Sequence, residues 1–459
     1  MQAVQVVLKF GGSSVAEVAH WKTIADQVQY HLDNDRRPLL VLSALKNVSN
    51  LLEAMLHQAL AGVHPVAIAH LKELHLGFAS QLGLGLHDQL TPWFEQLESD
   101  CVAINRAGQI TPKAHARILS FGELLSTTIG SAFLSLQGFD VLLQDAREML
   151  IAVDQPDKQD QWHHYTSAIC GYGADPTIST SLNNKSKGNN TIVVTQGFIA
   201  SDSSGDTVLL GREGSDTSAA YLAAILKVKN LEIWTDVTGV FSANPREIPE
   251  ARQLAKLSYQ QALLMAKFGA KVLHPRVMQP MEENQIPVTV RSTGQPQHPG
   301  TLISHQSMPQ VAVKAVVHET NVTQIVFPES SSGGLIRRVS ERLVSQGFDP
   351  LLERKIAGKH HLILNYSNSD KAQPGDLELL SIFAEEGLKA NANCALITLV
   401  GEVSNRQWMM EAVDLLDNLL SEKILSIYYD NNNNDSLSLL VKSENNLKIS
   451  QQLHRELIG

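Results

Sequence analysis

The chain has 459 residues, long enough for two or three domains, and its 43% hydrophobic and 18% charged residues are ordinary for a globular protein with real cores. A formal net charge of -10 argues against a nucleic-acid or anionic-membrane partner, because both select basic surfaces, while leaving room for a local basic pocket for phosphates. Three scattered cysteines, Cys101, Cys170 and Cys394, fit no disulfide framework or zinc motif and read as small buried residues in a reducing compartment.

Met1 to Phe10 reads as a strand and not as a signal peptide, since it has no basic leader and runs straight into a glycine motif. Trp21 to Leu32 reads as helix and Pro38 to Ser43 as a strand-length apolar run. Long helical patterns follow between Leu51 and Leu82 and from Pro112 to Leu136. Val141 to Leu143 and Thr191 to Phe198 read as strands, with the polar stretch Ser181 to Asn190 between them expected to be a mobile surface loop. Val208 to Leu210 is a short strand, Thr217 to Val228 a helix apolar nearly all round, and Leu231 to Thr235 another strand. Ile286 to Val290 and Pro299 to Ile303 close this region. No apolar stretch approaches the roughly 20 residues that cross a bilayer, so the cytoplasm is the expected location. The alternation of short apolar runs with helical patterns predicts an α/β fold, a sheet covered by helices.

After about Met308 the texture changes. Val322 to Phe327, Leu335 to Gln346, Pro350 to Glu353 and His361 to Tyr366 read as strand, helix, strand, strand. Ala395 to Val400, Gln407 to Leu420, Ile424 to Tyr429 and Ser436 to Val441 repeat that order, with Asn431 to Asn434 as a polar hairpin tip and a last helix from Asn445 to Leu457. Two βαββ units in tandem suggest a pair of ligand-sensing modules.

Five segments carry chemistry. In Lys9-Phe10-Gly11-Gly12-Ser13-Ser14, adjacent glycines between a strand and a helix let backbone N–H groups approach phosphate oxygens, and the lysine adds a point charge. This is not the GxxxxGK[ST] P-loop. In Leu210-Gly211-Arg212-Glu213-Gly214-Ser215-Asp216-Thr217, Arg212 can grip a carboxylate with two donors, while Asp216 can be a simple N-cap. Thr235, Asp236 and Phe241, with Asn244-Pro245-Arg246 behind them, follow a strand end, which suits either a nucleotide's base and ribose or a plain turn. Lys271, in Phe268-Gly269-Ala270-Lys271, is a second phosphate contact or a helix C-terminal charge. Glu123, in the apolar helical context of Ser120-Phe121-Gly122-Glu123-Leu124, faces the surface or a cationic ligand such as an amino group. The histidines, including His163-His164 and His360-His361, have no metal-ligand spacing.

In order, KFGGSSV, LSAL...VSNLL, SFGELLS, LGREGSDTSAA, WTDVTGVF...NPR and FGAKVLHP resemble the aspartokinases of the amino-acid kinase family over essentially the whole chain. Trp21 and the divergent C-terminal third are further similar to the kinase half of fused aspartokinase–diaminopimelate decarboxylase chains. The resemblance implies a catalytic domain over 1–307 and two ACT-like domains, 308–390 and 391–459, which can interleave. It implies ATP and L-aspartate as substrates, Mg2+ held mainly by phosphates and water, a lysine or threonine effector at the ACT domains, and a homodimer or larger homo-oligomer. By motif, Lys9, Gly11, Gly12 and Ser13 should hold the ATP phosphates. Thr235, Asp236, Phe241, Arg246, Lys271 and Val272 should contact the nucleotide. Ser43, Ser49 and Ser215 should line the aspartate site, with Glu123 on the amino group and Arg212 on the α-carboxylate; Asp216 should orient the lysines. A glycine is usual in the family at Glu213, a tyrosine at Phe241 and a threonine at Ser49, and Ser330-Ser331-Ser332-Gly333-Gly334 replaces the usual effector loop. The competing readings are a kinase for another acceptor such as N-acetylglutamate, which has no free amine for Glu123, and a catalytically silent ACT-domain amino-acid sensor.

Overall fold

A computed structural model describes residues 4–153, 161–270, 273–305, 313–345, 348–366, 388–402, 407–419, 424–429 and 436–459. They form two compact units. The first runs to Val240 and takes in Ala255–Tyr259 and the stretch from Leu273 onward; the second takes in Phe241–Leu254, the stretch from Gln260 and the C-terminal third.

Ten strands belong to the first unit: β1 Val4–Phe10, β2 Arg37–Leu42, β3 Val141–Leu143, β4 Ile192–Gln196, β5 Ile199–Ser201, β6 Thr207–Leu209, β7 Asn230–Thr235, β8 Lys256–Ser258, β9 Val288–Ser292 and β10 Thr301–Ser304. Eight of them make one sheet in the order β3-β4-β2-β1-β7-β9-β10-β8, parallel except where β10 meets β9, and β5 pairs with β6 in a separate hairpin. VQVVLKF and RPLLVL are nearly continuous apolar runs because β1 and β2 are covered on both faces. β1 lies between β2 and β7, where the strand order reverses direction, so ligands are expected outside the carboxyl ends of these three strands.

The helices up to residue 283 are α1 Gly12–Val15, α2 Val18–Asp33, α3 Val48–Leu60, α4 Pro65–Gln81, α5 His87–Ala107, α6 Pro112–Leu136, α7 Gln161–Thr166, α8 Pro176–Lys185, α9 Gly214–Ile225, α10 Tyr259–Lys267, which from Gln260 on belongs to the second unit, and α11 Pro275–Glu283. α6 starts sharply because Thr111 accepts the Ala114 N–H at 3.2 Å and Pro112 fills a position that needs no donor. It is long and apolar enough by composition to cross a membrane, contrary to the sequence reading, but most of it is buried inside the unit as a core helix. Its small and polar residues, Ser120, Gly122, Glu123, Ser126 and Thr127, break up any uninterrupted apolar run.

Two other readings are corrected. Ser181–Lys185 is not loop but the second half of α8, which Asp175 starts by accepting the Thr177 N–H at 2.8 Å. Only Leu182 of that helix is buried, so its sequence carries no amphipathic signal. α5 is an additional helix; Leu90, Phe94, Leu97, Cys101 and Ile104 form its buried stripe, and Pro92 inside it weakens the helical pattern.

In the second unit, β11 Val313–Phe327, β12 Phe348–Ile356, β13 Lys359–Tyr366, β14 Lys389–Gly401, β15 Ile424–Tyr429 and β16 Ser436–Lys442 form one antiparallel sheet, ordered β12-β13-β11-β14-β16-β15. With α12 Gly333–Ser345, α13 Gln407–Leu419 and the last helix, α14 Asn446–Leu457, this is the expected βαββ order twice over. The long strands β11 and β14 pair at the centre. Each half keeps its own core, one around Ile325, Phe327, Val339 and Leu343, the other around Ile397, Trp408, Leu416 and Leu453. The tip Asn431 to Asn434 lies outside the described residues.

Candidate active site

The carboxyl end of β1 gathers most of the sequence-identified residues of the first unit. Lys9 is the penultimate residue of the strand, and its Nζ stands 2.5 Å from Asp216 Oδ1 with both side chains buried. A Cβ on Gly11 would come within 3.2 Å of the same ammonium. The glycine turn therefore passes directly under the charge. Gly11 N–H donates to Trp234 O at 3.2 Å, which ties the turn to β7. Ser14 Oγ adds a bond to Trp234 O at 3.3 Å and pairs with Thr293 Oγ1 at 2.7 Å; the motif reading assigned neither. Ser13 is half-buried in α1.

Asp216 is not the N-cap of α9. That position belongs to Glu213, and Asp216 is the third residue of the helix, where it faces Lys9. The start of α9 is forced close to the sheet, because a Cβ on Gly197 would lie 2.5 Å from Ser215 Cβ. Gly197 N–H in turn donates to Leu42 O at 2.9 Å, so Ser215 sits over the end of β2. Arg212, in the turn before α9, is exposed. Its neighbour Glu213 has φ 51°, the left-handed conformation. The family's usual glycine at this position has a backbone reason, since glycine adopts that conformation without a Cβ penalty.

Across the turn, a Cβ on Gly12 would lie 3.0 Å from Ala44 O, so the glycine turn packs on the loop after β2. α6 holds the other side of this loop. Ser126 Oγ donates to Ser43 O at 2.7 Å, and Ala44 N–H donates to Glu123 Oε1 at 3.2 Å. Glu123 is 3% exposed, and its second oxygen is buried with no hydrogen-bond partner among the described residues. Burial pushes its carboxyl up to about 8, opposed by the Ala44 amide and a further backbone hydrogen bond. A cation beside such a half-satisfied acid would supply a donor and offset the cost of burying its charge. The close approach of α6 depends on Gly122, whose Cβ would stand 2.9 Å from Ala44 Cβ. Gly122, Gly197 and Ser126 are supports that the motif reading passed over. A glycine inside an otherwise good helix is the signal that marks the first.

Ser49 is half-buried in the first turn of α3, five residues beyond Ala44. At the end of β7, Thr235 O accepts the Thr293 N–H at 2.9 Å, and Thr235 Oγ1 donates to the exposed Asp236 at 3.1 Å. Phe241 and Arg246 belong to the second unit, in a turn whose Ser242 carbonyl accepts the Val316 N–H of β11 at 2.8 Å. Lys271 and Val272 lie outside the described residues. His274 accepts the Arg276 N–H at 3.2 Å as the N-cap of α11, in keeping with a structural role. Burial pushes the Cys101 and Cys170 thiols up to about 12, so neither supplies a thiolate near neutrality.

Residues 5–292 match the model of the amino acid kinase family. The chain is 28% identical to a bifunctional aspartokinase/homoserine dehydrogenase of Buchnera aphidicola over 98% of its own length, but covers 56% of that relative. The chain thus spans about half the length of this longer protein. It is 30% identical to lysine-sensitive aspartokinase 3 of Escherichia coli over 70% of its own length and 69% of that protein. Its fold superposes on E. coli aspartokinase III solved with aspartate and ADP, with a TM-score of 0.81 and 26% identity over 99% of this chain and 100% of that one. The chain belongs to the amino acid kinase family and, within it, to the aspartokinases.

Proposed function

We propose that the chain transfers the γ-phosphoryl group of ATP to the β-carboxylate of L-aspartate, giving 4-phospho-L-aspartate and ADP, the first step from aspartate toward lysine, threonine and methionine. The observation that carries this reading is Glu123, a buried carboxyl with one oxygen on the Ala44 amide and the other unpartnered. An amino acid's ammonium meets that need, whereas an N-acylated acceptor such as N-acetylglutamate brings no cation. A catalytically silent sensor would have no use for the buried Lys9–Asp216 pair under a glycine turn.

In this reading Glu123 holds the ammonium and Arg212 the α-carboxylate, leaving the β-carboxylate as nucleophile. A carboxylate needs no general base. One of its oxygens bonds to the γ-phosphorus, the bond from that phosphorus to the bridging oxygen breaks, and ADP leaves. The chain's work is to place the reactants in line and neutralise charge on the moving phosphoryl group. Lys9 and the Gly11–Gly12 turn face the phosphates, with Gly12 rather than Gly11 offering its N–H because the Gly11 N–H is held by Trp234 O, and Asp216 keeps Lys9 in place. Ser43, Ser49 and Ser215 line the acceptor site, while Ser13, Thr235, Asp236, Phe241, Arg246, Lys271 and Val272 contact the nucleotide. Asp216 is committed to Lys9, so Mg2+ would be held mainly by phosphates and water; bound there, it supplies further charge neutralisation.

The paired βαββ modules and the name of the lysine-sensitive E. coli relative support an amino-acid effector, lysine or threonine, acting on a homodimer or larger homo-oligomer. Where ATP and free aspartate meet, the cytoplasm, is the place of action. The test is to trap the product of MgATP and L-aspartate with hydroxylamine. Aspartyl hydroxamate above a Lys9→Ala control is expected, and none would overturn the reading. Repeating the assay with lysine and threonine tests the effector, and light scattering the assembly.

A further inference from the structure

The loop after β2 joins the acceptor side of the site to the phosphate side, and Lys46 stands where the two meet. Ser43 N–H donates to Phe10 O at 3.2 Å, which brings the loop onto the end of β1. Ala44 N–H donates to Glu123, the group that holds the acceptor's ammonium in the reading above. The next residues pass over the glycine turn. A Cβ on Gly12 would stand 3.0 Å from Ala44 O and 3.7 Å from both N and Cα of Lys46. Leu45 O accepts the Val48 N–H at 3.0 Å, and Asn47 has φ 69° and ψ -5°, the values of the third residue of a type II turn. Lys46 is therefore the second residue of that turn, a corner from which its side chain is exposed. Asparagine tolerates the left-handed conformation the turn demands, and the turn fixes where the lysine leaves the backbone.

Lys9 stands against Gly11 and Lys46 against Gly12, but their charges are not equivalent. The Lys9 ammonium is 2.5 Å from Asp216, so that pair carries no net charge. The Lys46 side chain has no acidic partner among the described residues. A triphosphate lying over the turn thus meets a neutral pair and an uncommitted ammonium on a flexible four-carbon stem. We infer that Lys46 is a further catalytic residue, whose ammonium contacts the γ-phosphoryl oxygens during transfer. This rests on the reading that the site moves that group from ATP to aspartate. As the β-carboxylate oxygen bonds to phosphorus and the bond to the bridging oxygen breaks, no proton moves. Lys46 stays a cation and offsets negative charge on the three oxygens that the phosphorus keeps throughout. ADP has no γ-phosphoryl group and forgoes the contact, so Lys46 also separates substrate from product.

The experiment compares Lys46→Ala, Lys46→Gln and Lys46→Arg with the unaltered full chain. It reads kcat, KM for MgATP and for aspartate, Tm, and the Kd of MgADP and of a magnesium-bound ATP analogue with a non-hydrolysable imido bridge. Lys46→Ala and Lys46→Gln should lower kcat about 10- to 100-fold, as for loss of one group aimed at developing charge. They should weaken the analogue about 3- to 10-fold. The Kd of MgADP and the KM for aspartate should stay within about twofold. Lys46→Arg keeps the charge and should recover most of the loss. All three variants should keep the parent's Tm, because the side chain is exposed. A kcat for Lys46→Ala within about twofold of the parent would overturn the inference. So would equal weakening of the analogue and MgADP, or a loss that Lys46→Arg shares together with a lower Tm. If the parent makes no aspartyl hydroxamate, the aspartate reading fails, and the comparison of analogue with MgADP, which needs no acceptor, still decides the role of Lys46.

Discussion

Lys9 Nζ lies 2.5 Å from Asp216 Oδ1 at the end of the central strand, and both groups are withdrawn from water. Removing one partner of such a buried pair leaves the other uncompensated, which costs about 3–5 kcal/mol, whereas apolar replacement of both can be nearly neutral. Asp216→Leu and Lys9→Met should each lower the urea midpoint clearly. The double variant should recover much of that loss while making no product. Single variants as stable as the parent would show that the pair is not desolvated as described.

Glu123 makes the chain's stability depend on pH in an unusual direction. Its folded carboxyl titrates at about 8 against an ordinary 4.5, so between those values the folded chain keeps a proton that the unfolded chain has lost. The contribution is full below the ordinary value and is lost as pH rises through about 8. Glu123→Gln should flatten this slope, seen as a smaller difference in Tm between pH 5 and pH 8. It should also raise the KM for aspartate at least about tenfold, as expected for a lost hydrogen bond to a charged group. Binding of the ammonium should expel the proton, so calorimetry near pH 7 in buffers of different ionisation enthalpy should register its release. Buffer-independent heats would sink this assignment.

Glu213 tests the turn beside Arg212. Its φ of 51° costs a side chain about 1 kcal/mol relative to glycine, partly offset by the greater freedom glycine has when unfolded. Glu213→Gly should therefore be stability-neutral or slightly stabilising. It should also lower the KM for aspartate a few-fold, because exposed neighbouring charges interact by no more than about 1 kcal/mol. The gain should shrink in high salt. A rise in KM would mean that Glu213 helps the site.

The site divides into a part written locally and a part written by the fold. Lys9, Gly11 and Gly12 are legible because strand, turn and helix are contiguous, so their chemistry is visible in six letters. Arg212 and Asp216 are legible for the same reason, although the N-cap role considered for Asp216 falls to Glu213. Glu123 could be flagged only as an acid in an apolar helix. Its meaning comes from Ala44, 79 residues away, and from a buried oxygen with no hydrogen-bond partner among the described residues. The turn from Phe241 to Arg246 shows a limit of motif order. Consecutive kinase residues fold into different units there, since Ser242 bonds to β11 and α14, partners that no local pattern announces.

Gly122 converts that tertiary dependence into an experiment. Alanine is favoured over glycine inside a helix by about 1 kcal/mol, but its Cβ would stand 2.9 Å from Ala44 Cβ and 3.3 Å from Val48 Cγ1. Overpacking of this kind costs about 1–3 kcal/mol, so strain wins and α6 is pushed from the loop after β2. Gly122→Ala should lower Tm modestly and raise the KM for aspartate more than that for MgATP, because the Ala44 amide leaves Glu123. Equal effects on both substrates would remove the special role given to this contact.

The polar end of α8 and the stretch after it supply the last test. Arg37, 1% exposed on β2, donates from Nε to Thr191 O at 2.6 Å, from Nη1 to Asn183 Oδ1 at 2.7 Å, and from Nη2 to Ser186 Oγ. A stretch that composition marks as loop is therefore fastened at three points to the edge of the core. Arg37→Met keeps the apolar stem but leaves these acceptors without their donors, at a cost of about 1–3 kcal/mol for each group that stays buried. Expected are a lower Tm and faster proteolytic cleavage between Lys185 and Thr191, with KM for both substrates little changed. Resistance to protease equal to that of the parent would show that this stretch is held by something other than Arg37.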